Sequence, residues 1–439
     1  MGEEDLCDVS QARFRNLDNE TPQIQHADES NFIKGKAPIV RAVYAALYEK
    51  TDISSLRDIL FGFISPDHSE AAALMDTSFV LQAAGDAEGA ARNQQAALEI
   101  SRIFTIRNGR GTGPTVLVFV TAGDFMANTP IEYLLEESDT NILFYYVDGQ
   151  TKALNDIPEH DVAFVAVAES PLNQPVLENL DRLLSRCPGP IINGSPARIN
   201  ALSRDGVAET FKSESAILAP TTVRVSREQL KRLASGEVEV QSFGDIDSLP
   251  VIIRPIGTHA GKGMEKISAW LELSTYLNSW PEDEFYIAPF IDYSGSDGKF
   301  RKQRIAFIDG RAFASHLAIS DHWMVHYLSA GMAEHVDRRT EEETWMVNFD
   351  ADFAVRHSGA FDALHRRLGL DYFAIDCAEL PDGRLLLFEA DVAMIVHSMD
   401  SEAIFPYKKP VMTKLYSAFE SALKQRAGWS DAAPAVDDT

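Results

Sequence analysis

GLDYFAIDCAELPDGRLLLFEAD, residues 369–391, decides how this chain is read. YFAID at 372–376 and LLLFE at 385–389 are apolar runs, each closed by a carboxylate, with the turn residues Pro381, Asp382 and Gly383 between them. That pattern predicts a β-hairpin. Residues i and i+2 of a strand share a face, so Glu389 and Asp391 project together. Pairing that brings Asp376 beside them collects three acids, and three close carboxylates need a compensating cation at neutral pH. Hard oxygen donors suit Mg2+. The alternative is an edge hairpin whose acids are solvated. The hairpin alone leaves both readings open.

Upstream, LPVIIR at 249–254 reads as a strand ending in Arg254, followed by PIGTHAGKG at 255–263. A cation ending a strand and then a glycine-rich loop form a phosphate cradle, because glycine lets backbone N–H groups approach phosphate oxygens. The loop is not a P-loop, since Gly263 follows Lys262 where Ser or Thr is needed, and it lacks the dinucleotide-binding spacing. EFYIAPFI at 284–291 is a further strand. Strands at 304–308 and 311–319 flank Asp309-Gly310, a strong hairpin signal.

Further upstream, TVLVFV at 115–120, NILFYYV at 141–147, VAFVAV at 162–167 and PIIN at 190–193 are continuous apolar runs separated by helical stretches. This predicts an α/β region with a parallel sheet covered on both faces. Ligands bind at the carboxyl ends of such strands, so the loop 121–129, with Asp124, Asn128 and Thr129, is a candidate substrate loop. Thr129 reads as the N-cap of a helix opened by Pro130, whose start would receive an anion. Residues 31–106 read as helices. DTSFVLQAAGDAEGAA from Asp76 resembles one unit of a tetratricopeptide repeat, with Gly85 in its turn. A lone unit falls short of the three needed for a solenoid, so an accessory helical layer is expected.

The chain has 439 residues, 45% of them hydrophobic, and a formal net charge of −26. Several domains are expected, and such acidity argues against nucleic-acid binding. No apolar run reaches the length of a membrane span. The polar, acidic start is not a secretory signal. Cys7, Cys187 and Cys377 are odd in number and far apart, which suggests reduced thiols. Cytoplasmic localisation, with no membrane or nucleic-acid partner, is the resulting expectation.

The order of these parts resembles the ATP-grasp superfamily, most of all its D-alanine–D-alanine ligase, glutathione synthetase and RimK-like ligases, over roughly residues 115–425. Such ligases carry an Asp, a Glu about thirteen residues on, and an Asn two residues later. Here Asp376, Glu389 and Asp391 hold those positions, with Asp in place of Asn. The resemblance implies ATP and Mg2+ as cofactors, with those three acids on the metal. It places Arg254 and Arg204 where the family has phosphate-binding lysines, and Arg304 near the transferred phosphoryl group. Gly257, His259, Gly261, Lys262 and Gly263 would form the lid loop over the phosphates. Ala288, Phe290 and Ile291 would line the adenine hinge. Asp292 or Asp297 would hold the ribose, with an apparent insertion at 298–303 obscuring the alignment. The implied organisation is a loosely attached or disordered segment 1–30, a helical, tetratricopeptide-like region 31–110, a pre-ATP-grasp domain 111–195, ATP-grasp subdomains 196–285 and 286–425, and a disordered tail 426–439.

The implied reaction is carboxylate activation, with an acyl phosphate attacked by an amine to give an amide, ADP and phosphate. The implied partners are a small carboxylate and an amine (an amino acid or peptide), and a homodimer is common among the resembled ligases. His316, His322 and His326 fall within eleven positions and are candidates for the acceptor pocket, or structural histidines. Zinc is the weaker reading, as no ligand spacing is secure. His397, just past the acids, is the better substrate candidate. Two alternatives stay open: an ATP-grasp enzyme that modifies a protein or ribosomal peptide, and a non-catalytic scaffold with a vestigial ATP site.

Overall fold

Among its described residues, the helical start of the chain shares the core of the strands that follow. In the computed structural model, which describes residues 31–48, 69–258 and 261–429, it comprises α1 (Lys36–Tyr48), α2 (Glu70–Ala83) and α3 (Ala87–Ile100). Gly85 makes the α2–α3 turn at φ +83°, a conformation that favours glycine. Ser69 and Asp86 cap the two helices by accepting from Ala72 N and Gly89 N, which satisfies donors that have no partner inside the helix. Ile39, Met75, Phe79 and Val80 are buried in one cluster with the strands that follow. The layer is therefore a cover for the first sheet. The expected disorder of 1–30 lies outside the described residues, as does most of the tail.

The helical reading of 31–106 fails at its end. IFTIR forms β1 (Ile103–Arg107), whose β-branched residues favour a pleated surface. Next come β2 (Thr115–Val120), the four-residue α4 (Ile131–Leu134), β3 (Asn141–Tyr146), β4 (Val162–Val165), α5 (Gln174–Leu183) and β5 (Ile191–Ile192). The sheet order is β1-β3-β2-β4-β5. β2 to β5 pair in parallel and β1 is an antiparallel edge. Every residue of β4 is buried, as a strand covered on both faces requires. Val176, Leu177, Leu180 and Leu183 form the buried stripe of α5.

After α6 (Pro196–Asn200), α7 (Arg204–Phe211) and β6 (Ile217–Leu218) comes a second sheet. It is built from β7 (Val223–Ser226), β8 (Val251–Pro255), β9 (Glu265–Ile267) and β10 (Glu284–Pro289), in the order β7-β10-β8-β9. It carries α8 (Arg227–Ala234) and α9 (Glu272–Ser279). Ser226 and Gln229 form a capping box at the start of α8, which satisfies two donors reciprocally. Val225, Leu230, Leu273, Phe285 and Ile287 make a separate small core.

The third sheet holds β11 (Phe300–Ile308), β12 (Arg311–Ser320), β13 (Tyr372–Glu379) and β14 (Leu385–Asp391), in the order β12-β11-β13-β14-β6. It is followed or covered by α10 (Val336–Asn348), α11 (Phe353–Arg356), α12 (Ser358–Leu368) and α13 (Lys408–Arg426). The domain limits at 196 and 285 therefore shift. β6 pairs with β14 and α7 joins the large core, while β10 belongs to the second sheet. The apparent insertion at 298–303 is mostly the first half of β11.

Two clamps fix the first sheet against the hairpin of the third. The Asn193 side chain donates to Tyr372 O (2.7 Å) and accepts from Asp371 N and Tyr372 N (2.9 Å each). Thr129 Oγ1 donates to Val392 O at 2.9 Å. Among the described residues no helix is long and apolar enough to cross a membrane.

Candidate active site

The hairpin predicted from 372–376 and 385–389 forms, and its register sets the site. Asp376 lies opposite Glu389, and Ala374 opposite Asp391. On the other side of β13, Asp376 pairs with Arg304 of β11, which pairs in turn with His316 of β12. One row across four strands thus reads His316, Arg304, Asp376, Glu389. Lys302 shares the face of Arg304, two residues earlier.

Asp376 is 1% exposed and receives three donors. Arg304 Nε reaches Oδ1 at 2.8 Å, Arg304 Nη2 reaches Oδ2 at 3.1 Å, and Lys302 Nζ reaches Oδ2 at 2.8 Å. Burial opposes its charge, but these two cations hold the carboxyl well below the usual range. Glu389 is bonded to Arg204 Nη2. Arg204 opens α7 behind the N-cap Ser203 and also donates to Phe388 O at 3.3 Å. Burial pushes Asp391 up to about 6, although its carboxylate accepts from Ala393 N at 3.0 Å. Glu169, just beyond β4, is pushed up to about 7 by burial and then by Asp391.

The expected metal site does not fit this donor set. Both oxygens of Asp376 are committed to protein cations, and Glu389 faces a guanidinium. Among the described residues no group of three or more His, Cys, Asp or Glu side chains is arranged to hold a metal ion.

What the acids do form is one wall of a cavity of about 630 Å³ between the second and third sheets. Arg204, Arg254, Lys302 and Arg304 line it beside Asp376, Glu389 and Asp391. Four cations facing three carboxylates leave room for an anion. Arg254 is 6% exposed and bonds to Thr258 O in the first turn of the glycine loop. Burial, and then the charge of Arg204, press its guanidinium down to about 9. A buried guanidinium repelled by a half-buried one is relieved by an anionic ligand between them. The remaining wall is mostly apolar. Ile252, Ala288, Phe290 and Ile291 come from β8, β10 and the chain after β10, Leu386 and Phe388 from β14, and Trp323 and Met324 from the histidine strip. This volume and mix are typical of a small-molecule site.

The other expected site residues separate. Gly261 lines the cavity, and a Cβ there would lie 3.3 Å from Met324 Sδ, so the glycine loop lies against the strip. Gly257 and Gly263 shape that loop at φ +77° and +69°. Lys262 is exposed and does not line the cavity, and His259 lies outside the described residues. Neither ribose candidate reaches the cavity: Asp292 accepts from Ser294 N at 3.0 Å, and Asp297 is held by Arg301.

Of the candidate histidines among the described residues, only His326 lines the cavity. His316 is buried against Tyr327, with ring centroids 4.5 Å apart. His322 lies tilted against Trp323, with ring centroids 5.5 Å apart, and accepts from Met324 N. His397 lies away from the cavity and accepts from Met399 N at 3.1 Å. Burial drives its ring down to about 4. In loop 121–129, Asn128 braces the backbone by bonding Thr121 N and O at 2.8 Å each, and Asp124 accepts from Met126 N. Thr129 is not an N-cap: α4 starts after Pro130 without a side-chain cap. Met126 is the residue of this loop that reaches the cavity.

No family model matches the sequence, and no curated protein matches it. Among solved structures, the chain is similar to a RimK-domain ATP-grasp protein from Sphaerobacter thermophilus, with 12% identity and a TM-score of 0.40 over 70% of this chain and 99% of that one. It is similar to a D-alanine–D-alanine ligase from Bacillus anthracis complexed with ATP, with 13% identity and a TM-score of 0.40 over 72% and 100% of the two chains. It is also similar to the VanG D-Ala:D-Ser ligase from Enterococcus faecalis, with 10% identity and a TM-score of 0.44 over 72% and 100%. These likenesses are distant, and the functional reading rests on the residues of the site.

Lys302 and Glu169 are the residues that sequence reasoning missed. The signal for Lys302 was its alternation with Arg304 in a strand that runs back from the Asp309-Gly310 turn. Glu169 stands just past the carboxyl end of a parallel strand, where ligands of such sheets bind.

Proposed function

We propose that this chain is an ATP-dependent carboxylate–amine ligase of the ATP-grasp type. One observation carries the reading: a single cavity joins an apolar slot to a cluster of four cations, three of which are paired with acids of the β13–β14 hairpin. A purine fits the slot, where Ala288, Phe290 and Ile291 offer backbone and apolar contacts. The triphosphate fits the cationic end, where Arg204, Arg254, Lys302 and Arg304 neutralise its charge. Catalysis of this kind needs positioning and charge compensation more than a side-chain nucleophile. The substrate carboxylate oxygen attacks the γ-phosphorus and ADP leaves with the bonding pair. An amine then attacks the acyl carbon, phosphate departs, and the amine gives up a proton. Cys377 is fully buried and takes no part.

The test is turnover of ATP with pooled amino acids and small carboxylates in Mg2+ buffer, with ADP, AMP and phosphate all measured. Substrate-dependent ADP and phosphate, abolished in Glu389→Gln, are expected. AMP and pyrophosphate would overturn the acyl-phosphate route. Absence of any ATP-dependent thermal shift would overturn the nucleotide site itself.

A further inference from the structure

The helices that cover the first sheet also grip a loop that reaches the cavity. The turn at Gly85 sets α2 and α3 side by side, so Gln82 near the end of α2 and Gln94 in α3 meet one target. That target is Gly123 in the loop 121–129. Gln94 is buried, and its Oε1 accepts from Gly123 N at 2.9 Å. Gln82 Nε2 donates to Gly123 O at 3.4 Å. Gly123 sits at φ +152°, and a Cβ there would stand 2.7 Å from Ala127 Cβ, so the gripped position needs glycine. Lys36 of α1 adds a third hold. Its Nζ lies 5.7 Å from the ring centroid of Phe79 in α2 and 5.9 Å from that of Phe125 in the loop, within reach of cation–π attraction.

The base of the loop is secured without these helices. Asn128 braces Thr121, Asn173 Nδ2 donates to Ala127 O at 3.1 Å, and Thr129 is tied to Val392. The tip, 122–126, is where the helical layer takes hold. Among the described residues 103–193, Met126 in that tip alone lines the cavity. We infer that α1 to α3 are a positioning device for the cavity. They fix the tip of loop 121–129 and so hold Met126 in the wall, with Gln94 as the positioning residue. Selectivity at that wall is then set from outside the sheets that build the cavity.

The experiment follows the methionine methyl groups of the full chain by NMR after 13C-methyl labelling. The signals of Met126 and Met75 are assigned by their loss in Met126→Leu and Met75→Leu. Gln94→Leu removes the acceptor at similar size. It should shift or broaden the Met126 signal and leave in place that of Met75, which is buried in α2. Gln94→Glu keeps an acceptor oxygen for Gly123 N and should restore the wild-type Met126 signal. An unmoved Met126 signal in Gln94→Leu, an equal change at Met75, or no restoration in Gln94→Glu would overturn the inference. These readouts need no substrate, so their failure is separate from any failure of the ligase reading. On that reading, Gln94→Leu should raise the KM of the carboxylate or amine about tenfold while kcat and the KM for ATP stay within about twofold. Equal rises in both KM values would mean general loosening and would also overturn it.

Discussion

Glu169 illustrates how single groups set the site's response to pH. Burial and the nearby acid of Asp391 push its carboxyl up to about 7, against about 4.3 in an unfolded chain. Between those values the folded state binds more protons than the unfolded one, so stability falls as pH rises through the window. Below pH 4 the contribution is fully present, and above pH 7 it is lost. Glu169→Gln keeps the shape and removes the charge. Its melting temperature should exceed wild type by roughly 1–3 °C at pH 8, with the gap narrowing steadily and closing towards pH 4. Scanning fluorimetry at the two pH values decides this, and an equal gap at both would rule it out. Arg254, Arg304 and the hairpin acids were legible because each closes, opens or directly follows a recognisable strand, whereas Arg204 was named only through the family resemblance. Lys302 was hidden because its strand starts earlier than the hydrophobic run suggests, at Phe300 rather than at Arg304. The metal reading followed from counting acids without their partners, and those partners arrive from α7 and β11, far away in the chain.

Elements position these groups, and the loop between β8 and β9 is the most constrained of them. Gly263 sits at φ +69°. A Cβ there would stand 2.6 Å from Pro255 Cδ and 3.1 Å from Trp280 Cε3. Its carbonyl accepts from Tyr276 Oη at 2.8 Å, so the turn is pinned to α9. Gly263→Ala would add both backbone strain and a collision. The loop would open, moving Arg254, which is bonded to Thr258. We expect ATP affinity to fall about tenfold, measured by calorimetry with a non-hydrolysable analogue, while circular dichroism stays native. Unchanged affinity would mean that the loop does not cover the nucleotide. The glycines of this loop were readable because their spacing is local. The brevity of α4 was not: Thr129 and Pro130 look like a helix start, but Thr129 is tied to Val392, a long-range partner. β1 was absorbed into the helical reading because five residues after a helix carry little periodicity.

Among the described residues the apolar core divides in two, with the cavity between the two parts. One spans the first sheet, its helical cover and the third sheet, and the other is confined to the second sheet and its two helices. The sequence foretold this order of parts, since each apolar run is local. It misplaced the seams, since β6 joins β14 across more than 160 residues. A small core on one side of a cleft opens at lower free energy than a large one, and a ligand that contacts both sides lowers the population of open states. Backbone amides of β7 to β10 should therefore exchange with deuterium faster than those of β2, β4 and β13 in the ligand-free chain. ATP should slow exchange most in β8, β10 and residues 261–264, and leave β2 and β4 unchanged. Phe285 and Ile287 alternate inward on β10 while Ala288 and Phe290 face the cavity, so protection should reach β10 from its ligand end first. Equal protection of the two cores without ligand would show that they unfold as one unit. The nucleotide would then bind a preformed cleft, and closure of the second sheet would have no part in catalysis.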